Sequence, residues 1–248
     1  MSPRIRLGLF LAAGAGFAAL LAWGVAGLPD FGVYNGPYGL VLDRTAVMAR
    51  HAANLPTAVN FDYRAIDTLG EEFILFAAAI GLAIILRARR EGEERAPAGR
   101  VAERAVAASD TTRVAGLGLV GATLLLGLYV VTHGHLTPGG GFQGGVVLAG
   151  ALLLVYLTGG YLTVRRLSPW AFIETCEATG AGGFAALGVA GLIAGGAFFD
   201  NVLPFGHAGG FVVGGTIPLG NVIVGIEVGA GFAMVFSELL EQALVVRS

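Results

Sequence analysis

Six long apolar stretches, separated by segments that carry nearly all the charge, constrain this 248-residue chain more than any motif within it. They run near Leu7–Leu28, Leu69–Leu86, Val114–Val131, Gly144–Val164, Trp170–Phe199 and Gly220–Val246. Stretches of about 17–25 residues cross a hydrocarbon core of roughly 30 Å as helices. Only helices and closed barrels satisfy their backbones in lipid, so the fold class is all-α, a polytopic membrane protein with about six transmembrane helices. A composition of 55% hydrophobic against 13% charged residues leaves too little polar surface to coat a soluble globule. The fifth and sixth stretches overrun a simple span, which predicts tilt, a glycine kink or an interfacial turn. The first, at about 22 residues, exceeds the roughly 7–15 of a signal-peptide core and reads as a span.

Arginine placement orients the spans, because cytoplasmic loops carry the excess of positive side chains. Arg4 and Arg6 precede the first stretch, seven arginines lie from Arg87 to Arg113, Arg165 and Arg166 follow the fourth stretch, and Arg247 follows the sixth. The opposite side carries Arg44, Arg50 and Arg64. Six crossings then alternate with both termini cytoplasmic. Residues 91–112, mixing arginine, glutamate, alanine and glycine, read as a solvated linker. It divides a two-helix unit, residues 1–90, from a four-helix unit, residues 113–248. The lone Cys176 forms no intrachain disulfide and reads as a packing residue.

All 15 basic residues are arginine, so a proton-handling group inside this chain must be a carboxylate, a histidine or water. Glu227 lies about seven residues into the last stretch, roughly 10 Å deep. A charge at that depth costs a few kcal/mol unless it is neutralised, paired or wetted, so Glu227 is a candidate for an ion or proton path, with interhelical hydrogen bonding as the alternative. Asp67, Glu71 and Glu72 open the second stretch and are candidates of the same kind. Acids there also suit the positive end of a helix, with Asp67 or Thr68 as the cap. Glu174 with Glu177, and Glu238 with Glu241, read as interfacial rims paired with nearby arginine.

The run from His133 to Gly145 holds two histidines, a proline and six glycines, poor material for continuing a helix. Pro138, Gly139, Gly140, Gly141, Gly144 and Gly145 therefore form a loop and a close-packed helix start. His133 and His135 suit hydrogen bonding to a partner or proton transfer at the outer mouth. Two histidines without a nearby carboxylate or cysteine are a weak ligand set, and no metal site is expected. The glycines lack the Lys-Ser/Thr ending of a phosphate loop, and nothing marks a haem, flavin or iron–sulfur site, so no cofactor is expected. Gly225 and Gly229, four apart, suit close helix packing. The glycines and histidine of residues 206–215 echo the earlier run, as a duplicated hairpin would.

The run Thr132–Gly145, with Gly215–Asn221 and Gly225-Ile-Glu227-Val-Gly229, resembles the MnhB/MrpB component of Mrp-type multisubunit Na+/H+ antiporters over roughly residues 110–248. Ala58-Val-Asn-Phe-Asp62-Tyr-Arg64-Ala-Ile-Asp67-Thr-Leu-Gly-Glu71 is similar to a segment of MbhE-like modules, with Ala65 where glycine is usual. The resemblance implies a subunit of a membrane complex that exchanges cytoplasmic Na+ for external protons, contributing to assembly and to an ion or proton path. Its partners would be the other subunits, the lipid bilayer, Na+ and H+, and no nucleic acid. The alternative it implies is a membrane subunit of a complex I-like membrane-bound hydrogenase or another redox-driven pump. A stand-alone enzyme is not implied, for want of a catalytic constellation.

Overall fold

The structure, a computed structural model, describes residues 3–28, 32, 36–92, 109–167, 169–207 and 210–245. Residues 93–108 of the expected linker, and Arg247, lie outside them. The described residues contain helices and loops and no strand, and they form two compact units, residues 1–40 and 41–248. In the first, α1 (Pro3–Ala26) has no buried residue and is apolar around its whole circumference, the pattern of a span rather than of an amphipathic surface helix.

In the second unit, the end of α2 (Pro37–Arg50) leads through α3 (Leu55–Ala58) and a π-helical turn (Val59–Tyr63) into α4 (Ala65–Gly92). There follow α5 (Asp110–Thr132), α6 (Gly141–Gly159), the short α7 (Tyr161–Leu167), α8 (Trp170–Ile193) and α9 (Ile217–Val245). Six segments are long and apolar enough to span a bilayer: Pro3–Ala26, Ala65–Leu86, Asp110–Thr132, Gly141–Gly159, Trp170–Ile193 and Ile217–Glu241.

Every span but α8 starts three or four residues ahead of the sequence expectation, and two ends stop five or six residues short of it. The fourth stretch breaks at Gly160, whose φ of 74° an L side chain rarely adopts, and α7 then starts as a separate helix. The fifth stops at Ile193 rather than Phe199. Its overrun is neither tilt nor kink: the chain turns back, Phe199 N–H donates to Gly188 O at 3.1 Å, and Phe199 packs on Phe184. The sixth begins three residues early, at Ile217. Hydropathy alone also missed α2 and the α3–π-helix segment, which are too short or too polar to register as spans.

Helix α9 is the hub, packed against α4, α6 and α8, while α5 pairs with α6. Close approach rests on glycine: a Cβ at Gly144 would lie 2.8 Å from Val131 N, so α5 and α6 meet backbone to backbone. The core has two parts. Phe61, Phe184, Phe199, Ile217, Val224 and Val228 fill one, and Ala79, Ala83, Ile173, Ala230, Ala233 and Met234 fill the other. Where the two parts meet, apolar packing gives way to buried acids.

Candidate functional site

Three glutamates from three helices meet between the two parts of the core. Glu72 of α4 and Glu227 of α9 are each 0% exposed, and Glu177 of α8 is 1% exposed. Helix α8 runs antiparallel to α9, so Gly183 lies against Ile223, Gly180 against Glu227 and Ile173 in the cluster of Met234. Glu177 therefore falls about one turn further along, beside Gly231, where a Cβ would stand 3.6 Å from Glu177 Oε1. Helix α4 runs parallel to α9, with Leu75 also against Gly231, which brings Glu72 to the level of Glu227.

The carboxyl groups of Glu72 and Glu227 interact, Glu227 acts on Glu177, and Glu71 acts on Glu72. Glu72 and Glu227 lie within hydrogen-bonding reach of each other, and no N–H or hydroxyl donor among the described residues reaches either carboxyl or Oε1 of Glu177. The Arg50–Asp62 and Arg64–Asp67 ion pairs lie elsewhere. Glu238, 1% exposed, lies 11 residues beyond Glu227 on α9, about 16 Å away on the same face at 1.5 Å per residue. The acids thus form a buried ladder along one face of α9. What they can do chemically follows from their number: several carboxyls in low dielectric hold a proton or a cation far more readily than multiple negative charges.

A second polar cluster sits at the ends of the same helices, built by the loop His133–Gly140. Asn221 Oδ1 accepts the Gly141 backbone N–H at 2.9 Å, supplying one of the partners that the start of α6 lacks, and Asn221 Nδ2 donates to Ile217 O at 3.2 Å. A Cβ at Gly134 would lie 2.6 Å from Gly140 Cα and 2.7 Å from Asn221 Oδ1, so only glycine fits. Thr57 Oγ1 and Asn54 Nδ2 donate to Gly134 O at 2.8 and 2.7 Å, and Asn54 Nδ2 also donates to Thr137 O at 2.9 Å. Asp62 accepts from Arg50 Nε at 2.5 Å and from Asn201 Nδ2 at 3.2 Å. The segment before α4 is thereby stitched to both glycine-rich loops.

His135, 1% exposed, bridges those loops. Its Nε2 lies 2.8 Å from Phe211 O, which can only accept, so Nε2 carries the hydrogen and Nδ1 is a bare acceptor, buried without a partner among the described residues. Burial pushes the His135 imidazole below the usual histidine range and neighbouring His133 adds to this, while the Phe211 carbonyl opposes it. His133 stacks on Tyr129 at 4.2 Å and meets Phe211 edge-on at 5.1 Å.

The structure sorts the sequence candidates into separate places. Glu227 and Glu72 come together; Glu71 and Asp67 are exposed on the other side of α4, with Asp67 paired to Arg64. The cap expected of Asp67 or Thr68 is not seen, since α4 starts at Ala65 and Thr68 Oγ1 donates to Asn60 O at 2.7 Å. Pro138, Gly139, Gly140 and Gly141 belong to the Asn221 cluster or its border, and Gly144, Gly145, Gly225 and Gly229 to helix contacts. The rim reading of Glu177 fails: α8 begins seven residues earlier at Trp170, so Glu177 is about 10 Å inside. Its signal was its spacing from Ile173, Gly180 and Phe184, which marks the buried face. Glu238 is also buried, seven residues before α9 ends at Val245. Among the described residues no group of three His, Cys, Asp or Glu has metal-binding geometry.

Comparison with known proteins bears on the same helices. A family profile described as "Domain related to MnhB subunit of Na+/H+ antiporter" matches residues 111–234. An uncharacterised protein of Methanocaldococcus jannaschii is 33% identical over 73% of this chain and 74% of its own length. The B component of the Na(+)/H(+) antiporter of Bacillus subtilis is 38% identical over 25% of this chain and 48% of its own length. A chain of the membrane-bound sulfane sulfur reductase, an archaeal respiratory membrane complex, superposes with a TM-score of 0.71 at 31% identity, covering 95% of this chain and 98% of that one. A chain of the Mrp complex from Dietzia sp. DQ12-45-1b shares the fold, with a TM-score of 0.71 at 24% identity over 96% of this chain and 26% of that one. With half of its length matched by the profile and six spans in the arrangement above, this multi-pass membrane chain belongs to the family of domains related to the MnhB subunit of Na+/H+ antiporters.

Proposed function

We propose that this chain is a membrane subunit of a multisubunit Na+/H+ antiporter complex, in which Glu72, Glu227 and Glu177 relay protons or the exchanged cation between helices. The observation that carries the reading is the buried ladder itself: five carboxyl oxygens that no N–H or hydroxyl donor among the described residues reaches, with Glu72 and Glu227 facing each other, in a junction that a bilayer surrounds. An unpaired charge there costs a few kcal/mol, and hydrophobic packing of similar volume would avoid that cost. Carboxyls held open in this way suit a site whose positive charge comes and goes. Membership of the MnhB family supports the Na+/H+ assignment, and the arginine distribution supports cytoplasmic termini.

An MbhE-like unit, residues 1–90, fused through residues 91–112 to an MnhB-like unit, residues 113–248, is part of the proposal. Its support is that α4 supplies Glu72 to a site otherwise built by α8 and α9. The chain itself performs no covalent chemistry and acts through partner subunits. Na+-dependent proton exchange by the whole complex in everted vesicles tests this, with assembly checked on a native gel. Lost exchange in Glu227→Gln with assembly intact supports the relay; lost assembly makes the chain a scaffold, and unchanged exchange rejects the relay.

A second reading has its own observation. The sulfane sulfur reductase chain aligns with this one almost end to end, whereas the Mrp chain is matched over about a quarter of its length. In that reading the same ladder serves a redox-driven pump, and purification of the native complex with a redox-active subunit attached would favour it.

A further inference from the structure

At the end of the bundle opposite the Asn221 cluster, α5, α6 and α7 line an open groove of about 530 Å³ that no part of the relay uses. One wall is a single face of α5, Arg113, Leu117, Val120 and Gly121; Val155 and Thr158 of α6 form the other, and Thr163 and Leu167 of α7 close the end. From Arg113 to Gly121 the wall runs about 12 Å along the helix, from the edge of the span toward the bilayer centre. Its volume is that of a small-molecule site, and its lining is almost entirely apolar.

The polar groups at the mouth are unevenly committed. Thr158 Oγ1 donates to Leu154 O at 3.0 Å, and Thr163 Oγ1 donates to Gly159 O at 2.7 Å. Arg113 gives only Nε, to Thr158 O at 3.1 Å, where it caps a carbonyl of the last turn of α6. No carboxylate among the described residues lies within ion-pair distance of Arg113, although Asp110 is one turn away. The guanidinium therefore keeps donors in a planar fork suited to phosphate. Arg166, exposed on α7 between Thr163 and Leu167, adds positive charge to the same end. The groove floor is open: a Cβ at Gly121 would meet nothing within 4 Å.

We propose that this groove holds one anionic phospholipid of the leaflet on the arginine-rich side, its phosphate on Arg113 and an acyl chain along Leu117, Val120 and Gly121. Charge complementarity at the mouth and an apolar wall running inward from it select this occupant over a free anion, which would leave the wall empty. They select it over zwitterionic lipid by charge, at about five-fold for one arginine near the surface.

The test uses the intact complex in mild detergent, with phosphatidylglycerol carrying a photoreactive group on its acyl chain. Adducts are mapped by mass spectrometry. Labelling within residues 117–121 and 155–167 is expected. It should fall about five-fold in Arg113→Gln, recover in Arg113→Lys, and be lost in Gly121→Leu, whose Cβ meets nothing within 4 Å and whose side chain takes up space in the groove. Equal labelling by the phosphatidylcholine analogue, or labelling unchanged in Arg113→Gln, overturns the proposal. So does displacement by inorganic phosphate, which would make this a free-anion site, or crosslinking of this groove to a neighbouring subunit in place of lipid. Native gels confirm assembly, and Arg113→Lys separates loss of charge from loss of fold.

Discussion

Two buried polar regions of this molecule handle their hydrogen-bonding groups in opposite ways. Around Asn221, the Gly141 N–H, the Gly134 and Thr137 carbonyls, Asp62 and the Asn201 amide all find partners at 2.5–3.2 Å, with His135 Nδ1 as the exception among the described residues. At the junction of α4, α8 and α9, the Glu72 and Glu227 carboxyls find only each other, and no N–H or hydroxyl donor among the described residues reaches them. A satisfied buried network rigidifies and specifies one structure, whereas an unsatisfied one costs stability and persists where something mobile completes it. The loop cluster therefore reads as the clamp and the glutamate ladder as the working part.

The largest effect that separates them is on transport. Glu227→Gln keeps the volume and removes the titrating group, and exchange by the complex should fall by about two orders of magnitude, the scale of losing a proton-transfer group, with assembly retained. Glu177→Gln should give a smaller loss in the same assay, since it lies one turn further along. Equal retention of activity in both would erase the distinction between the two regions.

Asn221→Ala acts on the clamp instead. It orphans the Gly141 N–H, at a cost of about 1–3 kcal/mol, and thermal unfolding of the complex in detergent should shift down accordingly while the transport rate per assembled complex stays near wild type. Gly180→Ala sits between the regions: its Cβ would stand 2.8 Å from Glu227 Cα and 3.0 Å from Glu227 N. Forcing α8 from α9 should cost about 1–3 kcal/mol and lower exchange as well, and a purely structural effect would show as lost stability with exchange per complex unchanged.

The smallest effect is pH-dependent and belongs to the loops. His135 is held below the usual histidine range, so the unfolded chain binds a proton more readily than the folded one. The stability it contributes is then present above the unfolded value, near 6.5, and is lost as pH falls below it. Protonation places an N–H at the buried Nδ1, which has no acceptor among the described residues. The protection factors of the Gly210 and Gly214 amides, which donate to His207 O and Phe205 O, should fall on acidification once the intrinsic exchange rate is divided out, and His135→Gln should flatten that dependence; identical profiles would remove His135 as the cause.

Much of this was legible in the residues themselves. The spans, their order and the inward Glu227 follow from hydropathy and depth, because the bilayer imposes a length and a cost that a linear reading can count. The run Thr132–Gly145 announced a close-packed loop through its glycines. Depth misled at Glu177: the start of its helix at Trp170 is the one expected, and its burial is set by the packing of α8 against α9 and not by its distance from that end. The pair Glu71–Glu72 shows the other limit. Adjacent residues on a helix point about 100° apart, and which of the two enters the core depends on how α4 is rotated against its neighbours.

Unaided, the residues dictate a six-span membrane chain, a family resemblance and a carboxylate too deep to be accidental. Which acids meet is a matter of tertiary structure alone. Glu72, Glu177 and Glu227 stand 50 to 155 positions apart along the chain, and what unites them is a close approach of α8 to α9 at Gly180 and the docking of α4 beside them. Local periodicity tells each helix which face to bury. It does not tell which faces will share one low-dielectric junction, where the cost of a charge becomes a property of the group of acids rather than of any one of them.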